Sequence, residues 1–123
     1  MKVDLIVRNL QEGPYLIHCV EGKDRTGFVC ALAEALAGAS YEVIIDDYML
    51  TYENYYGITE ESDPDSYEAI KTLNIDGMLT YLAGCSAEEL PSADLSAGAR
   101  KYLRNAGMSD AQIDAFLERI VRN

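Results

Sequence analysis

His18-Cys19-Val20-Glu21-Gly22-Lys23-Asp24-Arg25-Thr26-Gly27 places a nucleophile, a fixed cation, two glycines and the start of a helix within ten residues. The apolar run Tyr15-Leu16-Ile17 leads into it with the character of a short buried strand, and an apolar helical pattern leaves it from Phe28. The stretch is therefore predicted to join a strand end to a helix N-terminus. The first amides of a helix lack intrahelical partners and, with the helix dipole, favour an anion. A phosphate fits such a place. Successive amides from Val20 through Glu21, Gly22, Lys23 and Asp24 to Arg25 can curl around its oxygens. The planar guanidinium of Arg25 can grip two more in a fork that lysine cannot form. Cys19 lies at the base of the same loop, where those amides and Arg25 favour the thiolate, the form that acts as a nucleophile at neutral pH. Thr26 offers a hydroxyl to the sulfur when it must leave again.

The decapeptide resembles the signature loop of the cysteine-dependent protein tyrosine and dual-specificity phosphatases, His-Cys-x5-Arg-Thr-Gly, with every fixed position matched. The string Gly22-Lys23-Asp24-Arg25-Thr26-Gly27 resembles most the bacterial tyrosine/lipid phosphatase branch. The resemblance implies attack of Cys19 on phosphorus, a phosphocysteine intermediate and its hydrolysis by water. It makes Arg25 the phosphate clamp, Thr26 the helper of thiolate release and His18 the residue that tunes and orients the cysteine. Lys23 then touches substrate phosphate and Asp24 is the candidate general acid, with a structural hydrogen bond that shapes the loop as the alternative for Asp24. A chance turn explains a bare Cys-x5-Arg as well as a phosphate site does; His18, Gly22, Thr26 and Gly27 together favour the phosphate loop. The implied substrates are phosphotyrosine and phosphoinositide or other phosphorylated molecules, with no metal or cofactor. The alternative is a phosphate- or sulfate-binding fragment or pseudophosphatase with little turnover.

A chain of 123 residues is one domain by length, residues 1–123, and long enough for a single core. Its 49% apolar and 25% charged residues are those of a globular protein. A net charge of −11 argues against nucleic acid, whose backbone is bound by clustered lysine and arginine, and against attraction to anionic membranes. Substrate phosphate must then be captured locally. The three cysteines, Cys19, Cys30 and Cys85, make no disulfide framework, and a catalytic thiol wants a reducing compartment, so a cytoplasmic location is expected. No apolar run approaches the roughly 18 residues of a membrane-spanning helix.

Val3, Ile6, Val7 and Leu10 share one face of a helix over residues 2–10, stopped by Glu12-Gly13-Pro14. Only eighteen residues precede Cys19, whereas the resembled phosphatases carry several strands before it. The fold expected is therefore mostly α with one short central strand, the C-terminal part of an α/β cysteine-phosphatase fold. A lone strand needs partners for its edges, which a preceding segment, covering helices or a second copy of the chain would supply.

Downstream, residues 26–37 are apolar on nearly every side, as in a centrally buried helix that Gly38 ends. Cys30 within it is either a resolving thiol for an oxidised Cys19 or a packed cysteine. Ser40 caps a helix over 41–55, whose tyrosines at 41, 48, 52, 55 and 56 form an aromatic wall for substrate or partner, or pack on the central helix. Asp46 and Asp47 are expected in solvent. Residues 57–66 read as an acidic, mobile loop. Within it Asp63-Pro64 resembles the acid loop of low-molecular-weight phosphatases, yet also reads as a helix cap followed by proline in the first turn. Residues 65–83 read as one helix, interrupted near Asn74 to Gly77 and ended by Gly84. A helix from Ala93 or Ser96 to Asn105 has a basic end, Arg100, Lys101 and Arg104. Ser109 to Gln112 forms a capping box before a final helix with an Ile113, Phe116, Leu117, Ile120 and Val121 stripe.

Overall fold

The computed structural model describes the backbone of residues 24–121 and the side chains of residues 26–121. The expected helix over 2–10 and strand at Tyr15-Leu16-Ile17 lie outside the described residues. Among the described residues every regular element is helical.

Helix α1, Asp24–Leu36, is the central element. Its Val29, Ala31, Leu32, Ala35 and Leu36 are all buried, so that apolar side chains point into the core on more than one side. Full burial of a side chain such as Leu32 contributes about 1.5–3 kcal/mol, and only a helix enclosed by others can collect it around its circumference. Gly38, at a φ of 91°, turns the chain after α1. Helix α2, Tyr41–Tyr56, starts where the Ser40 side chain accepts a hydrogen bond from the Val43 amide and stops at left-handed Gly57, as its cap residues predict. Ile44, Ile45, Tyr48, Met49 and Tyr52 form its buried face. Val43 and Tyr55, which share helical spacing with them in the sequence, face solvent instead.

Helix α3, Pro64–Ile70, begins one residue before the predicted 65, with the Asp63 carboxylate accepting from the Ser66 amide and proline in the first turn. Asp63-Pro64 thus serves as a helix start. Before it, the Ser62 hydroxyl donates to the Gly57 carbonyl and the Thr59 amide donates to Ser62. The expected interruption is present but is not a stop. Lys71–Asp76 forms a π-helical turn that continues directly into α4, Gly77–Ala83, and left-handed Gly84 closes the rod. The wider turn resets the phase of the apolar stripe, which leaves Leu73 77% exposed while Ile75 and Leu79 are fully buried.

A 3-10 helix, Ala87–Ser92, follows a capping box between Ser86 and Glu89 and drops Leu90 into the core. Helix α5, Leu95–Asn105, then runs antiparallel to α1. The Ser96 hydroxyl donates to the Leu36 carbonyl at 3.2 Å at one end, and the Tyr102 ring meets Phe28 edge-on at 5.9 Å at the other. Helix α6, Asp110–Val121, carries the predicted reciprocal bonds between Ser109 and Gln112 and buries Ile113 and Phe116. Val121, at the end of the predicted stripe, is exposed. Arg100 reaches Asp114 at 2.8 Å and Arg104 reaches Asp110 at 2.7 Å, so part of the basic end of α5 serves the join to α6.

Helices α4 and α5 come close together at Gly98. A Cβ there would lie 2.6 Å from the Leu82 carbonyl oxygen and 3.0 Å from its carbon, both backbone atoms that cannot swing aside. Gly98→Ala is expected to destabilise the fold by about 1–3 kcal/mol through forced separation of the two helices. Urea unfolding of the two proteins side by side checks this, with Gly84→Ala as the contrast in which strain comes from the backbone at a φ of 66° and not from a neighbour.

Candidate active site

Helix α1 starts at Asp24, so the sequence expectation that a helix opens at the end of the decapeptide holds for its backbone. Its first turn, Asp24 to Gly27, presents the amides that have no acceptor one turn earlier, with the positive end of the helix dipole behind them. His18, Cys19, Val20, Glu21, Gly22 and Lys23 lie outside the described residues, as do the side chains of Asp24 and Arg25.

Thr26 and Gly27 are the two signature positions whose surroundings the structure describes. The Thr26 hydroxyl oxygen is buried and has no hydrogen-bond partner among the described residues. A buried hydroxyl without a partner forfeits about 1–3 kcal/mol, which is tolerated where a functional contact is made. Gly27 lies against α2: a Cβ on it would come within 2.7 Å of Tyr48 Cε2 and 3.1 Å of Cδ2. Tyr48 is only 5% exposed and its ring leans on that of Tyr52 at 5.7 Å, so it has no room to retreat. The aromatic wall therefore divides. Tyr48 packs beside α1 with the buried Tyr52 against it, while Tyr55 and Tyr56 are exposed with ring centres 5.3 Å apart.

Two polar groups on the packing side of α1 and α2 escaped the sequence reading. The first joins Cys30 and Glu34 of α1 with Asp47 of α2. Burial, a hydrogen bond shared with Asp47 and the Asp47 charge push the half-buried Glu34 carboxyl up to about 8. Burial, then the charges of Glu34 and Asp47, also raise the Cys30 thiol. A raised pKa withholds the thiolate that disulfide exchange requires, which favours the packed-cysteine reading of Cys30. Asp46 and Asp47 are exposed as expected, but Asp47 is also the partner of Glu34.

The second group gathers on the π turn. Asp76, the buried charged residue of the core, accepts from the Tyr41 hydroxyl at 2.7 Å and from Lys71 Nζ at 2.9 Å. Burial works against the Lys71 ammonium, but Tyr41 and Asp76 more than offset it and raise its pKa above the ordinary lysine value. Asn74 of the same turn donates its side-chain amide to the Tyr52 hydroxyl at 3.1 Å. A lysine five residues before an aspartate was the available signal, since that spacing lines up only in a π turn. Among the described residues no three His, Cys, Asp or Glu side chains converge as a metal site, and no helix is long and apolar enough to cross a membrane.

Comparison with known proteins bears on this site directly. The model of the tyrosine phosphatase family matches residues 2–122. The triple specificity protein phosphatase PtpB of Mycobacterium tuberculosis (strain ATCC 25618 / H37Rv) is 33% identical over 114 residues, covering 82% of this chain and 41% of that protein. A tyrosine-protein phosphatase of Nostoc commune is 29% identical over 117 residues, covering 89% of this chain and 40% of its own. The chain thus aligns with about 40% of the length of each of these relatives. No solved structure matches it.

Two outcomes follow from this geometry. In Gly27→Ala the new methyl collides with the Tyr48 ring, so the start of α1 must shift; stability should fall by about 1–3 kcal/mol in urea unfolding, and adding Tyr48→Leu should recover part of the loss. Glu34 holds its proton up to about pH 8 in the folded protein, against an ordinary value of 4.5. The native state then binds more protons than the unfolded chain between those values, and this residue's contribution to stability falls as pH rises through that window. Glu34→Gln should therefore gain in melting temperature relative to wild type from pH 5 to pH 9, and an unchanged difference between the two proteins across that range would contradict the assignment.

Proposed function

The chain belongs to the tyrosine phosphatase family, and on that footing we propose that it holds the nucleophile and phosphate cradle of a phosphomonoester phosphatase working through a phosphocysteine intermediate. The observation that carries this reading is the junction at Asp24. The family's full set of signature residues stands in sequence immediately before and at the start of the buried helix that opens at Asp24, and the Thr26 hydroxyl in its first turn is buried with no hydrogen-bond partner among the described residues.

In the proposed reaction the Cys19 thiolate attacks phosphorus and the ester oxygen departs. Arg25 holds two of the phosphoryl oxygens in its fork, and the amides from Val20 to Arg25, with those of Glu21, Gly22, Lys23 and Asp24 between them, receive the charge that builds on the phosphoryl group. Asp24 delivers its proton to the leaving oxygen, so that an alcohol or phenol is released instead of its anion. Water then attacks the phosphocysteine, giving a proton back to the Asp24 carboxylate; the sulfur leaves as thiolate, and the Thr26 hydroxyl donates to it. His18 orients the cysteine, and Lys23 contacts substrate phosphate. No metal or cofactor takes part in this scheme.

Phosphotyrosine is the proposed substrate, joined by phosphoinositides or other phosphorylated molecules. The triple specificity in the name of the mycobacterial relative supports this wider range. A chain with a net charge of −11 gives anionic substrates no general steering, so recognition falls to the loop. The reactive thiol suits the cytoplasm. The described helices are proposed to be the C-terminal part of an α/β phosphatase fold. Its strand before Cys19 would be covered by a preceding segment or by a second copy of the chain.

Because the chain aligns with only about 40% of its relatives' length, a phosphate-binding part with little turnover is the second reading. Hydrolysis of p-nitrophenyl phosphate separates the two. Wild type should turn over and yield a trapped phosphocysteine, while Cys19→Ser should fall to background yet still bind vanadate. Asp24→Asn should lose roughly 10²-fold in kcat, and more for poorer leaving groups. Vanadate binding by wild type without turnover or phosphocysteine would remove the enzyme reading and leave the binding one.

A further inference from the structure

Resting on the phosphate-loop reading above, we propose that Asn74 is a positioning residue for that loop, acting through Tyr52 and Tyr48 on the first turn of α1. The structure supplies each link. The Asn74 side-chain amide donates to the Tyr52 hydroxyl at 3.1 Å. The buried Tyr52 ring rests against Tyr48 at 5.7 Å with the planes tilted by 40°. The edge of Tyr48 occupies the space that a Cβ on Gly27 would need. Gly27 stands two residues after Arg25 and one after Thr26.

The π turn explains why Asn74 can exert this hold. Residues five apart stack in a π turn, and Lys71 and Asp76 do so with a 2.9 Å ion pair. Asp76 in turn accepts from Tyr41, the first residue of α2, at 2.7 Å. The turn therefore grips α2 twice, at Tyr41 and at Tyr52. Eleven residues separate the two grips, a helical span of about 17 Å. Between them lies Tyr48. Packed interiors transmit such restraint because a ring without free volume cannot move alone. Displacing a reacting group by about 1 Å can cost as much as 10²-fold in rate. A restraint on the first turn of α1 is thus a restraint on the geometry of Arg25, Thr26 and the amides before them.

The proposal predicts a defect in chemistry that is separable from a defect in stability. Asn74→Leu and Tyr52→Phe each remove one side of the 3.1 Å hydrogen bond. Each should lower kcat on p-nitrophenyl phosphate about three- to tenfold with KM within about twofold. Each should also raise by roughly half a unit the pH midpoint at which Cys19 is alkylated by iodoacetamide. That midpoint is read on the Cys19 peptide by mass spectrometry, so Cys30 and Cys85 do not interfere. The double variant should be no worse than either single one, because both break the same link. Leu95→Ala, which opens a cavity at a buried site next to Ser96, at the Leu36 end of α1 and so far from its first turn, should lower the melting temperature and leave the Cys19 midpoint where it is in wild type. If Asn74→Leu and Tyr52→Phe lower only the melting temperature, or if their effects on the midpoint add, the proposal is overturned. The midpoint is measured without turnover, so a wild-type chain that fails to hydrolyse the substrate would sink the enzyme reading while this test still decides the role of Asn74.

Discussion

The edge of the Tyr48 ring against the bare backbone of Gly27 is the contact on which the described arrangement turns. It brings α2 to the first turn of α1, at the end where a helix has no acceptors of its own for its amides. From the other side α5 runs antiparallel along α1, seated by Ser96 on the Leu36 carbonyl and by Tyr102 on Phe28. A helix enclosed in this way has little freedom to slide or rotate, because its buried residues each fill space that their neighbours cannot otherwise close. Rigidity at that position would serve the proposed phosphate cradle, since a set of amides and a guanidinium stabilises an anion only if the donors are already aimed at it.

Polar groups inside the core reinforce the same geometry. A buried aspartate without partners would cost several kcal/mol, yet Asp76 is held by a lysine and a tyrosine from two different elements. The pair is not there for burial alone, since an apolar residue would pack at less risk. What it adds is direction: a charged hydrogen bond has a preferred angle and length, the one from Lys71 fixes the Asp76 carboxylate within the π turn, and the one from Tyr41 ties that turn to the start of α2. Glu34 and Asp47 behave differently. Two carboxyl groups brought together across α1 and α2 keep one proton between them instead of two charges, which moderates the repulsion in a chain that is already strongly acidic.

The family was legible in the decapeptide because its signature is local. Cys19, Arg25, Gly22, Gly27 and the start of α1 occur within ten residues, and the helix opens at Asp24, where their order places it. The helix ends were legible for the same reason. Ser40, Asp63, Ser109 and the glycines at 38, 57 and 84 act on backbone atoms three or four residues away, so the element boundaries follow from neighbours in the chain.

The sequence by itself thus determined the family, the helical succession that follows the decapeptide and the capping of those helices, all of which depend on patterns within a few residues. Only the tertiary structure decided which tyrosines are buried, that Gly27 is occupied from outside by Tyr48, that the break in the long rod is a π turn, and that Glu34 meets Asp47. Gly27 and Tyr48 are 21 residues apart, and Asn74 and Tyr52 are 22. Such pairs are set by how whole helices pack, and a helical repeat read along one segment says which residues share a face without saying what that face will meet. The π turn joins the two scales: Lys71 and Asp76 are close in sequence, but the wider turn that aligns them is held in place by Tyr41 of another helix.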